Sequence, residues 1–261
     1  MYDTEVKLMS GHSKWANIKH KKEKTDAARG AAFTKAAKEI MVAARQGGGD
    51  PNSNFKLRMA ITAAKAVNMP NDSINKAIKR VVGGDDEVIY EEIAYEGYGP
   101  SGTAIIVECM TENRNRTAAD IRYLFSRSGG NMGELGSVAW MFDKRGVISI
   151  DKQSFKGGEE RLMELALDAG AIDIATDDPE VFEVITEPTE LDIVRKALEA
   201  HGVEFSEVRV KMLPKTVVSL DLEGAQKALR LIDNLEEHDD VQRVFSNLDI
   251  PDDVMQQLEE M

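Results

Sequence analysis

A pair of histidines near the start, a single cysteine and two glycine-rich loops are the residues whose types could carry catalysis in this 261-residue chain. His12 and His20 stand eight apart, roughly on one helical face. They could ligate a metal, but no carboxylate or thiol pair joins them at a recognisable ligand spacing. They read instead as polar contacts of a basic segment. Cys109 sits in an apolar run beside Val107 and Met110, the setting of a small buried hydrophobe rather than a nucleophile. GPSGT (99–103) and GGNMGELG (129–136) lack both the Gly-Lys-Ser/Thr ending of a phosphate loop and the dinucleotide fingerprint. The second follows a helix instead of opening one, so both read as turns. The acidic pairs Asp85-Asp86, Glu91-Glu92 and Asp239-Asp240 read as solvated loops. No base, nucleophile and oxyanion site assemble, so the sequence is that of a non-enzyme, with no metal or cofactor expected.

Binding chemistry is better represented. SGHSKWANIKHKKEKTDAARG (10–30) gathers Lys14, Lys19, Lys21, Lys22, Lys24 and Arg29, with Trp15 interleaved. Lysines in such a run release counterions from phosphates, and Trp15, His12 or His20 can stack on an unpaired base. Asn17 suits a base edge or a ribose. A second segment, TENRNRTAAD (111–120), follows a strand with Asn113, Arg114, Asn115 and Arg116 in a short loop. Thr117 or Asn115 can cap the next helix. A surface turn explains the cap. The paired arginines equally suit phosphate and base-edge contacts.

The charge is divided along the chain. Residues 1–80 carry 16 Lys or Arg against 7 Asp or Glu, and residues 81–261 carry 17 against 39, although the whole chain has a formal net charge of −13. An anionic partner is therefore expected for the first part and not for most of the rest. No apolar run approaches the roughly 20 residues of a membrane span. No secretory signal is visible, and Met9 could begin the protein as well as Met1 does. One cysteine excludes an intrachain disulfide, and a reducing cytoplasm is the simplest expectation.

Three helices are expected to hold the basic residues. In TDAARGAAFTKAAKEIMVAAR, Phe33, Ala37, Ile40, Met41 and Ala44 form one apolar stripe, with Lys35, Lys38 and Arg45 off it. NFKLRMAITAAKAVN is apolar on most sides and is expected to be the central helix. MPNDSINKAIKRVVGG places Ile74, Ala77, Ile78 and Val81 on one face and Lys76, Lys79 and Arg80 on the opposite one. A small helical domain with outward cations follows, over residues 1–84. From Gly146 to residue 213 the strands and helices alternate as β-α-β-β-α-β, the ferredoxin-like order. TAIIVECM, the helix after it, SVAWMF (137–142), KTVVSLD, EGAQKALRLIDNLEEH and DVQRVFSNLD repeat the theme on either side. The expected class is α+β: an inserted ferredoxin-like domain at 144–211 within a second one split into 85–143 and 212–261.

Three segments together resemble the YebC family, which includes a mitochondrial translational activator. SGHSKWANIKHKKEKTDAARGAAFTK is similar to the family's N-terminal signature, and TENRNRTAADIR and GGNMGELGSVAWMF to two others. The resemblance runs from about Met9 to near the C-terminus. It implies a helical domain, two α/β domains with one inserted into the other, and a cytoplasmic, cofactor-free regulator. Family members are labelled probable transcriptional regulators that bind DNA, while others associate with the ribosome and relieve stalls. A flexible basic arm bearing a tryptophan suits irregular RNA at least as well as duplex DNA. The expected partner is ribosomal RNA, bound by a monomer that does not touch membrane, with DNA-binding transcription control as the alternative.

Overall fold

The computed structural model describes residues 26–83 and 89–260. They divide into two compact units: Phe142–Lys215, and the described residues up to Met141 together with those from Thr216 onward. The proposed arm, with His12, Lys14, Trp15, Asn17, Lys19, His20, Lys21, Lys22 and Lys24, lies outside the described residues.

The described residues begin with α1 (Asp26–Gly47), α2 (Phe55–Ala66) and α3 (Asn71–Val82). It continues through β1 (Glu91–Tyr98), β2 (Ala104–Thr111), α4 (Arg114–Arg127) and β3 (Asn131–Met132). The unit Phe142–Lys215 supplies β4 (Phe142–Asp151), α5 (Gly158–Asp168), β5 (Asp173–Ala175), β6 (Val181–Thr186), α6 (Leu191–Ala200) and β7 (Glu207–Pro214). The remainder is β8 (Val218–Ser219), α7 (Leu222–Glu236), β9 (Val241–Ser246), β10 (Leu248–Asp249) and α8 (Asp252–Glu259).

The apolar stripe of α1 buries Ile40, Met41 and Ala44 against Leu57, Ala60 and Ala64 of α2 and Ile74 and Ala77 of α3. The central helix is α1, not α2: α1 packs on both partners, which meet each other little. The alanines of α2 made it look apolar all round, but only one face is buried. Asn54 joins the first two helices. Its Oδ1 accepts from the Leu57 N–H at 3.0 Å, and its Nδ2 donates to the Ala43 and Gly48 carbonyls at 2.8 Å each. One side chain thus caps α2 and satisfies carbonyls that α1 leaves open at its end.

The unit Phe142–Lys215 has the βαββαβ order and an antiparallel sheet in the order β5-β6-β4-β7, which is ferredoxin-like. The flanking segments build a second antiparallel sheet, β3-β1-β2-β9. Its Ile105, Val107, Cys109 and Val244 pack with Ile121 and Phe125 of α4 and Leu231 and Ile232 of α7 in one core.

The strands of this second sheet differ from expectation in three places. Residues 137–142 do not form a strand; Ala139–Met141 is a 3₁₀ turn, and the next strand starts at Phe142. The Val138 and Ala139 N–H groups donate to Glu96 Oε2 at 2.8 Å each, so a carboxylate replaces a neighbouring strand. The first strand is instead β1, whose glutamates interrupt the apolar alternation that marks a strand. Most of KTVVSLD is irregular: only Val218 and Ser219 pair, in a small parallel ladder with β10. The chain order of this layer is therefore ββαβ, the insertion, then αβ.

Gly97 is where β1, β3 and α4 come closest. A Cβ there would sit 2.6 Å from the Asn131 carbonyl oxygen and 2.7 Å from the Phe125 ring. The carbonyl is backbone and Phe125 is fully buried, so neither yields readily. Gly97→Ala is expected to destabilise the protein by about 1–3 kcal/mol in chemical denaturation, the usual cost of overpacking a core. Unchanged stability would mean that the sheet opens there without strain.

Candidate nucleic-acid interface

Of the expected site residues, Arg29 is exposed near the start of α1, and Lys76, Lys79 and Arg80 are exposed along α3. Ile74 and Ala77 are buried on the other side of α3. The amphipathic reading of that helix therefore holds residue by residue. Lys35 and Lys38 depart from it. Lys38 is only 7% exposed, and both lysines turn toward the sheet layer instead of solvent.

There α1 engages the end of α7 and the start of β9. Lys35 donates to the Glu236 carbonyl at the C-terminus of α7. Burial lowers its pKa against the opposing pull of Glu236 and Asp239. Lys38 donates to the Asp239 carbonyl at 2.9 Å and to Asp240 Oδ1 at 2.7 Å. Glu39 pairs with Arg243. Positions 35, 38 and 39 share one helical face, so a single face of α1 makes all three attachments.

Asp240 is the meeting point. It is 3% exposed, which overturns its reading as part of a solvated acidic pair. Its Oδ2 accepts from Arg116 at 2.8 Å and from Thr117 Oγ1 at 2.8 Å, with Thr111 Oγ1 at 3.2 Å. Its carbonyl accepts from Met110 N at 2.8 Å, and its own N–H donates to His238 Nδ1 at 3.1 Å. The ladder between β2 and β9 slips at Glu108/Cys109, and this irregularity re-aims the start of β9. Burial alone would raise the Asp240 carboxyl. The hydrogen bonds from Lys38, Arg116 and Thr117 outweigh it and hold the group well below the usual carboxylate range. Neighbouring Cys109 is pushed up to about 12, by burial first and by Asp240 second, so the thiol is not a nucleophile at neutral pH.

The segment Asn113–Arg116 is not a loop. Asn113 is the N-cap of α4, its Oδ1 accepting from the Arg116 N–H at 3.1 Å, and Arg114, Asn115 and Arg116 form the first turn. The capping residue is Asn113, not Thr117 or Asn115. Thr117 is buried and serves Asp240 instead. The Tyr95 hydroxyl donates to the Arg114 carbonyl at 3.2 Å, fixing this turn on β1. Two cations in a first turn oppose the helix macrodipole. Asp240 answers Arg116, whereas the exposed Arg114 has no acid three or four residues away.

A groove of about 510 Å³ opens beside this network, lined in part by Thr34, Tyr90, Glu112, Asp120 and His238. Its two cations, Lys38 and Arg116, already hold Asp240, and carboxylates dominate the rest. An anion would not settle there. Among the described residues no His, Cys, Asp and Glu side chains group as a metal site. Nor is any described helix long and apolar enough to cross a membrane.

Two features escaped the sequence reading. Glu96 is 4% exposed and accepts from the Gly136 N–H at 2.7 Å as well as from Val138 and Ala139. It thereby holds the glycine-rich loop that presents Leu135 and Trp140 to solvent. The solvent face of α4 carries Arg122, Tyr123 and Arg127; their helical spacing from Arg116 was the available signal.

Two family models match the chain: the TACO1/YebC protein N-terminal domain over residues 13–84, and the TACO1/YebC second and third domain over residues 90–248. The chain belongs to the TACO1/YebC family. A relative from Desulfotalea psychrophila, named a probable transcriptional regulatory protein, is 54% identical over 253 residues, covering 97% of this chain and 100% of the relative. One of the same name from Moorella thermoacetica is 52% identical over 252 residues, covering 96% of this chain and 100% of the relative. A crystal structure of a conserved hypothetical protein from Aquifex aeolicus superposes with a TM-score of 0.82 at 42% identity, over 92% of this chain and 98% of that one.

The Asp240 network yields a prediction with a definite sign. Its carboxyl ionises more readily folded than unfolded, so its stabilisation is complete above the unfolded value near ~4 and is lost as pH falls below it. Asp240→Asn is expected to cost about 3–5 kcal/mol at pH 7, because Lys38 is left buried without a counter-charge. Between about pH 4 and pH 2 its stability should fall less steeply than that of the parent. Urea unfolding across that range measures both; equal pH slopes would remove Asp240 from the acid transition.

Proposed function

We propose that this protein is a non-enzymatic, nucleic-acid-binding regulator of gene expression, and that it acts in translation by docking on ribosomal RNA and relieving stalls. The observation that carries the reading is the division of charge. Residues 1–80 hold 16 Lys or Arg against 7 Asp or Glu, and the exposed Lys76, Lys79 and Arg80 of α3 add to the basic residues of segment 10–30. The other 181 residues hold 17 against 39 and would repel a long duplex. A localised RNA site suits such a molecule, with the arm's Lys19, Lys21, Lys22 and Lys24 on phosphate and Trp15 on an unpaired base. The family resemblance supports a role at the ribosome.

One observation favours the second reading, a DNA-binding transcriptional regulator. Residues 67–70 join α2 to α3 in a tight turn containing Asn68 at φ 62°, and the second helix exposes Asn75, Lys76, Lys79 and Arg80. A helix-turn-helix presents its recognition helix in this order. The relatives' names point the same way.

Sedimentation of a cell lysate through a sucrose gradient, blotted for the protein, separates the two. The native protein is expected to travel with ribosomes, and a variant with Lys19, Lys21, Lys22 and Lys24 changed to Ala to stay at the top. A native protein that stays at the top with and without nuclease ends the translation reading and leaves promoter DNA as the ligand. With purified protein and RNA, Lys76, Lys79 and Arg80 all changed to Ala should lower the slope of log K against log salt by about 2–3, the loss of three phosphate contacts. An unchanged slope would take α3 out of the interface.

A further inference from the structure

We propose that the solvent face of α4 is a second nucleic-acid contact, on which Tyr123 stacks an unpaired RNA base while Arg122 and Arg127 hold the flanking phosphates. The proposal rests on the reading that the protein binds RNA and adds a surface to it.

The helix runs RNRTAADIRYLFSR and buries Thr117, Ile121 and Phe125 in the sheet core. Tyr123 therefore projects almost opposite the core, half a turn from Ile121 and Phe125. It is 60% exposed, a large aromatic ring left in water. Arg127 stands one turn beyond it, Arg122 immediately before it, and both are exposed.

The charge on this face is anomalous for its surroundings. Elsewhere in the acidic part of the chain, helical cations are answered along their own helix. Lys227 pairs with Glu223 at 2.6 Å, Lys196 with Asp192 at 2.8 Å and Arg195 with Glu199 at 2.8 Å. No carboxylate stands three or four residues from Arg122 or Arg127. The only acid in α4, Asp120, faces His238 Nε2 at 3.3 Å. An acidic protein has thus kept one helix face cationic and put an aromatic ring in its middle.

The residue types choose the ligand. Guanidinium groups bind phosphate in a fork and stack on rings, which an acidic peptide would exploit only in part, while an exposed tyrosine is a platform for any base. A base inside a duplex is not available to such a ring, so the occupant is single-stranded RNA.

The test uses the full-length protein and a fluorescein-labelled, unstructured 20-nucleotide RNA, followed by anisotropy. Tyr123→Ala is expected to weaken binding roughly 5- to 150-fold, and Tyr123→Phe to restore it. Arg122→Gln with Arg127→Gln should lower the salt slope by about 1.4. All three positions are exposed, so thermal melts should match the parent. RNA binding that is weakened by the four-lysine arm variant but unchanged in Tyr123→Ala and in the double arginine variant overturns this proposal and leaves the wider reading intact. A parent protein that does not bind the RNA overturns both. An arginine effect without a Tyr123 effect overturns the stacking assignment.

Discussion

Asp240 keeps a full charge at a position that water barely reaches, and the arrangement of the larger unit follows from how that charge is met. Lys38 comes from the helical layer, Arg116 and Thr117 from α4, Thr111 from the end of β2. Removing any one leaves a buried group short of a partner, which is costly in a medium that polarises poorly. The pair is not for that reason a large source of stability, since an apolar contact of equal size could do as well. What it supplies is uniqueness. Only one placement of α1 puts Lys35 on the carbonyl end of α7 and Lys38 on Asp240 at the same time. The irregularity in the β2–β9 ladder, which turns the start of β9, makes that placement available.

This divides the cations into two populations that net charge cannot separate. Lys35, Lys38 and Arg243 are committed inside the protein, to a helix terminus and to carboxylates, and the half-exposed Arg116 is tied to Asp240. Lys76, Lys79, Arg80, Arg114, Arg122 and Arg127 are exposed. Exposure, not net charge, decides which cations can release counterions from a nucleic acid. The basic character of the helical layer is thus smaller at its surface than its sequence implies, and the cationic face of α4 is more prominent than the acidic half around it suggests.

The helices were legible because burial follows the 3.6-residue period closely: Ile40 and Ala44 in α1, Ile74 and Ala77 in α3 are all in the core. The inserted βαββαβ unit was legible for the same reason, with glycines closing α5 and α6 at Gly170 and Gly202, both at positive φ. What could not be read was whatever depends on a distant partner. Lys38 looks like a solvent lysine until Asp240, 202 residues away, is beside it. Asp240 looks like half of an exposed pair until four side-chain donors surround it. Strand β1 was hidden by Glu96, which belongs there because backbone N–H groups of the 136–139 segment converge on it. In each case a polar residue that local pattern assigns to solvent is satisfied across the fold.

Two of the buried carboxylates, Glu96 and Asp240, bear on how an acidic chain could serve the proposed nucleic-acid binding. Each fixes a local structure by drawing donors inward, and neither presents charge to the solvent. The acids that remain outside are concentrated after residue 80 and give that part of the chain a charge that repels polyanions. On the proposed reading, binding requires a ligand that meets the cationic residues without lying along the acidic ones, a condition a long featureless duplex meets poorly. On that reading the acids would reduce non-specific affinity while the arginines and lysines keep the specific kind, which is discrimination by repulsion as well as by contact. A uniformly basic protein of the same fold would bind more tightly and to almost any nucleic acid.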